Sequence, residues 1–148
     1  MQNSTINFEG EIQMTTSEEL KEEYTKNITE LTNTLKKNAK RLFIEGSEDE
    51  AILENIKVNV VDIFYKMFQV SYNKTCKNVE QQAVELDKLK TAYLEFFHKI
   101  PTAWLENMGK AKENNLMVEY YKEQIKLETV GVIKELFMEH YNRYSKEN

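Results

Sequence analysis

From Ser47 to Ile100 the chain contains no glycine and no proline. Such a stretch has no residue that turns without strain or forbids a helical hydrogen bond, so it is confined to long elements. The shortage holds throughout: 148 residues carry four glycines and one proline, where average usage gives roughly ten and seven. A sheet protein needs turn residues at each corner, and here they are missing. Glu and Lys dominate the charged residues, and both are good helix formers. The expected class is therefore all-α: an elongated antiparallel helical bundle around a long central helix.

Periodicity divides the chain. Residues 1–15 are polar, contain Gly10 and show no period, so they are expected to be a disordered tail, with one helical-bundle domain over 16–148. A helix should begin after Thr16 or Ser17, with Glu18, Glu19, Glu22 and Glu23 favouring its positive end. Its seam is Leu20, Tyr24, Ile28, Leu31, Leu35 and Leu42, and Gly46 stands where a left-handed cap belongs. Ser47 and Glu50 have capping-box spacing, so a second helix starts at once and must run antiparallel. Its first part, Ala51 to Tyr72, is apolar nearly all round, interrupted by Glu54, Lys57, Asp62 and Lys66. That pattern calls for neighbours on several sides.

Only Ser71–Asn78, of indifferent helix formers, weakens this helix, and the expectation is a continuous or merely kinked rod on the order of 80 Å long. A cleaner stripe follows at Val79, Ala83, Leu86, Leu89, Tyr93 and Phe97. Pro101 then sets a corner at 100–102, because it cannot continue the preceding helix but suits the first turn of a new one. Trp104 is expected to plug the bundle end there, and Gly109 to loosen or end the short piece. The last helix, about 116–144, has the stripe Tyr120, Leu127, Val130, Ile133, Phe137, Tyr141 and Tyr144, with Gly131 allowing a close approach.

Chemistry is sparse. Glu95 and His98 stand one helical turn apart, as in di-iron carboxylate bundles, but the second histidine, His140, is preceded by Glu139, and Phe137 occupies the glutamate position. Half of that constellation is missing, and neither a metal nor a cofactor is expected. Cys76 has Lys74 and Lys77 beside it, which would lower a thiol pKa, but no histidine close in sequence. No glycine-rich phosphate loop, Gly-x-Ser-x-Gly elbow or Cys-x-x-Cys occurs. An enzyme is not expected.

The net charge is −5, from 25 acidic and 20 basic residues. It is spread without a basic stripe, so direct nucleic-acid binding is disfavoured. The opening residues lack a basic segment followed by an apolar core, and the single cysteine cannot form an internal disulfide. Both point to the cytoplasm. No run is apolar enough to span a bilayer.

The aromatics carry the functional expectation. Eight tyrosines and seven phenylalanines are too many for one narrow seam, because adjacent pairs such as Phe64-Tyr65 and Tyr120-Tyr121 diverge by about 100° on a helix. The expected function is non-enzymatic binding of a protein partner through a helix face, as an adaptor, chaperone or small inhibitor. Self-association is expected through Ile56, Val60, Phe64 and Phe68, with Tyr120 and Tyr121 as further interface candidates. In being small, acidic, poor in cysteine and helical, the chain resembles phasin-like granule-coat proteins, a likeness of class without a shared motif. That likeness implies amphipathic helices laid on a lipid or polymer granule. A helical-bundle metal enzyme built on Glu95 and His98 is the remote alternative.

Overall fold

The computed structural model describes residues 4–6, 12–77 and 82–146. Five helices follow a short hairpin among them: β1 (Ser4–Ile6), β2 (Ile12–Met14), α1 (Thr16–Ile44), α2 (Glu48–Thr75), α3 (Gln82–Lys99), α4 (Pro101–Glu113) and α5 (Met117–Ser145). The all-α bundle is as expected.

Three helix ends follow directly from local chemistry. At the start of α1 the Thr15 hydroxyl accepts from the Glu18 amide at 3.3 Å, and the Glu18 carboxylate accepts from the Thr15 amide at 3.1 Å. This reciprocal box places the cap one residue before the expected Thr16 or Ser17. At the other end Gly46 has φ 86°; its amide donates to Phe43 and that of Ser47 to Leu42. This is a Schellman closure, which needs a left-handed residue at that point. The same pattern recurs after α4, where Asn115 (φ 56°) donates to Lys112 and Leu116 to Ala111. Asparagine replaces glycine there because its short polar side chain tolerates the left-handed region. Both closures reverse the chain within three residues, so each joins an antiparallel hairpin.

Four expectations are corrected. Residues 4–6 and 12–14 pair antiparallel, Ser4 opposite Met14, within the segment expected to be a structureless tail. Ser47 occupies the cap position of α2 but makes no side-chain capping bond. The long rod is broken: α2 ends at Thr75, Cys76 caps it outside the helical region, and α3 packs back against α2. Weak helix formers were enough to end the helix because folding back covers the apolar sides of α2. Val79, which opened the expected α3 stripe, lies outside the described residues. Finally, α4 runs through Gly109 to Glu113. Gly109 neither ends nor loosens it, since one glycine costs only about 1 kcal/mol against a packed helix.

Aromatic contacts fix the register. Tyr24 meets Phe68 at 4.7 Å and Phe137 at 5.6 Å, while Tyr93 meets Phe137 at 4.8 Å and Phe97, one turn on, meets Phe64 at 4.5 Å. Residues rising along α1 thus face residues falling along α2 and α5, and α3 rises with α1. The result is an up-down-up-down four-helix bundle whose third leg is α3 plus α4. Pro101 interrupts that leg, but Ile100 keeps helical angles (φ −64°, ψ −45°), so the expected corner is a joint between two helices in one leg. Buried Leu20, Tyr24, Phe64, Phe68, Leu86, Leu89, Tyr93, Ile133 and Phe137 fill the core. Aromatic rings in edge-to-face contact dominate its centre, where such pairs add about 0.5–1.5 kcal/mol beyond area burial.

Candidate functional site

The residues first suspected of chemistry are not brought together. Glu95 and His98 are exposed on α3, and Glu95 pairs with Lys99 at 3.6 Å. Glu139 is exposed, whereas His140 is buried in the core. Among the described residues no group of three or more His, Cys, Asp or Glu side chains is placed to hold a metal ion. His140 Nδ1 lies 2.8 Å from the Leu136 carbonyl and Nε2 2.8 Å from the Asn27 amide nitrogen. A carbonyl can only accept, so Nδ1 carries the proton and Nε2 accepts from Asn27. The ring is thereby a structural link between α5 and α1.

Cys76 is buried, and burial pushes its thiol up to about 11. Lys74 and Lys77 are exposed, and the basic residue that lowers the thiol is Lys21, whose effect burial outweighs.

The interface residues divide. Val60, Phe64 and Phe68 are buried in the monomer core, which corrects their assignment to a dimer contact, while Ile56 is half-buried. The break after Thr75 is the reason: α3 covers the face that a continuous α2 would have left open. Tyr120 is half-buried and Tyr121 is 53% exposed, their rings edge-to-face at 5.8 Å. Trp104 is only partly buried, with Lys126 over its ring at 5.6 Å, and so is a rim residue and not a plug.

What the sequence reading missed lies past Trp104. By the aromatic register, Leu35, Val58, Trp104 and Lys126 share one height, and above it stand only the ends of the α1–α2 and α4–α5 hairpins. The two hairpin turns, Glu45–Ser47 and Asn114–Leu116, therefore lie at the same end of the bundle. In that end the fully buried residues are the small Ala39, Ala51 and Ala111. Many of its larger apolar side chains are exposed instead: Phe43 and Ile44 are 62% and 72% exposed, Leu105 and Leu116 each 53%, and Val118 68%. Ile52, Met117 and Tyr121 belong to the same group, while Met14, Ile63, Val70, Val84 and Val132 are scattered lower down. The sequence signal was present but faint. Phe43 and Ile44 fall off the α1 seam just before Gly46, and Leu116-Met117-Val118 is an apolar run at a helix start.

Two half-buried ion pairs stand at matching heights on α2 and α5: Lys57 with Glu54 at 2.6 Å, and Lys126 with Glu123 at 3.1 Å. The Glu54 and Glu123 side chains are only 13% and 14% exposed. Charge thus replaces apolar packing where the core ends. Between α1 and α2 an open groove of about 490 Å³ runs towards the hairpin turn. Lys36, Ala39, Lys40 and Phe43 form one wall, and Glu48, Ala51, Ile52 and Asn55 form the other. Both sets follow the i, i+3, i+4, i+7 spacing of a single helix face.

Comparison with protein-family models, with curated proteins and with solved structures found no match for the chain. No helix among the described residues is long and apolar enough to cross a membrane.

Proposed function

We propose that the protein is a non-enzymatic interaction module that takes a protein partner at the hairpin end of its bundle. One observation carries this reading: most of the large apolar side chains left in water among the described residues gather on the two hairpin tips, past the last core layer. Apolar groups clustered in this way favour an interface, whereas isolated exposed ones need no explanation.

A protein partner is favoured over a lipid or polymer granule. A coat that lies flat needs free apolar helix faces, and here Leu20, Tyr24, Phe64, Leu89 and Phe137 are all buried in the core. The α1–α2 turn is also acidic, with Glu45, Glu48, Asp49 and Glu50, which repels an anionic surface.

The test is photo-crosslinking in the source cell from probes at Val118 and at Val132, both exposed on α5 but at different heights. Protein adducts should form at Val118 and not at Val132. Equal capture at both positions, or lipid adducts alone at Val118, would overturn the proposal.

A further inference from the structure

We infer that the groove between α1 and α2 is a homodimer contact, in which it seats the same groove of a second copy about a two-fold axis parallel to the helices. The inference takes its location from the hairpin end but does not need the heterologous partner proposed above.

The arrangement of charge selects this occupant. Lys36 and Lys40 form the α1 rim, and Glu48 stands on the α2 rim. All three are exposed, and none makes an ion pair among the described residues. A two-fold axis along the helices exchanges the two walls and keeps each residue at its height, so Lys40 of each copy lies over the α2 wall of the other, about one helical turn from Glu48. An axis across the helices would lay α1 on α1 and oppose lysine to lysine. Only the first arrangement is complementary, and it is complementary to itself, as an isologous contact must be.

The apolar parts fit the same operation. Ala39 and Ala51 form a floor without bulk, at 6% and 4% exposure, flanked by Phe43 and Ile52 at 62% and 49%. In the two-fold pairing, Phe43 of each copy lies over the alanine floor and Ile52 of the other. Burying exposed aromatic and aliphatic groups against small residues is the usual source of binding energy in helix grooves. Lys40 and Glu48 then set the register, and the antiparallel alternative is excluded because it opposes the lysines of α1 to one another.

Sedimentation equilibrium over a concentration series tests this on the full chain. A reversible dimer is expected, weakened about tenfold or more by Phe43→Asp. Lys40→Glu and Glu48→Lys should each weaken it too, by placing like charges face to face. An equimolar mixture of these two variants should associate more tightly than either alone, because every reversed charge then meets its opposite. Since the three residues are exposed, thermal melts should show all variants folded, and the charge variants decide the matter if Phe43→Asp is not. A monomer at every concentration, or a dimer indifferent to these changes and to the mixing, overturns the inference. A monomer that still crosslinks a protein through Val118 would leave the proposed function standing.

Discussion

The hydroxyls of Tyr24 and Tyr93 meet at 2.6 Å inside the bundle, joining α1 to α3 where neither ring touches water. Each is the other's partner in an otherwise aromatic core, with Phe68 and Phe137 packed on both rings. Burial raises both phenol pKa values, so the pair is a neutral hydrogen bond that forms only when the helices are in register.

Removing one hydroxyl should therefore cost more than removing both. Tyr93→Phe leaves the Tyr24 hydroxyl buried and unsatisfied, with an expected loss of about 1–3 kcal/mol. Tyr24→Phe should do the same. The double variant should lose less than either single variant, and urea unfolding of all four proteins closes the cycle. Additive losses would mean that the hydroxyls act independently.

Stability should fall in strong base. Tyr72 is pushed up to about 12, chiefly by burial, and Tyr141 to about 12, chiefly because it donates a hydrogen bond to the Asp87 carboxylate. Tyr24, Tyr93 and Tyr144 are raised as well, chiefly by burial. In the unfolded chain tyrosine ionises near 10. A raised native pKa contributes stability that is whole below about 10 and is lost as pH climbs through about 12. The urea midpoint should hold up to about pH 10 and then drop, with tyrosinate absorbance rising as the protein unfolds. Full tyrosinate absorbance from a still-folded protein would contradict the buried tyrosines.

The glycines should respond in opposite senses. A Cβ at Gly109 or at Gly131 meets nothing within 4 Å, and both sit inside helices with no positive φ recorded. Alanine at either should add about 0.5–1 kcal/mol. The expected close approach at Gly131 is absent, because that position faces solvent. Gly46→Ala also meets no atom, yet φ 86° forces a strained left-handed alanine and should cost about 1 kcal/mol or more. Thermal melts of the three variants check the signs.

The sequence was most legible where pattern and packing agree. The seam Leu20, Tyr24, Ile28 and Leu35 is buried as its spacing requires, and Leu86, Leu89, Tyr93 and Phe97 likewise. Gly46 and Pro101 mark real boundaries. The break after Thr75 was harder to see because no stop residue makes it. Tertiary gain makes it, since Phe64 and Phe68 bury fully only when α3 returns across α2. The candidate site was nearly invisible for a related reason. An exposed Phe43 or Val118 reads as part of an apolar stripe until the fold shows that its height has no core to face.

That missing core also predicts where the bundle opens. Above the level of Trp104 the interior consists of Ala39, Ala51, Ala111 and half-buried residues, among them the Glu54–Lys57 and Glu123–Lys126 pairs. Alanine buries little area, and part-buried ion pairs give back much of their attraction in lost hydration. The lower bundle instead holds interlocked aromatic rings. Local opening should begin at the hairpin end, so amides in the middle of Ile52–Ile56 and Leu105–Met108 should exchange hydrogen at least about tenfold faster than those of Phe64–Phe68 and Leu89–Tyr93. Because the same end carries the exposed apolar groups, bound partner or dimer should slow exchange there first. Equal protection at both levels would show that the hairpin end is as cooperative as the core, and binding would then act on a rigid surface.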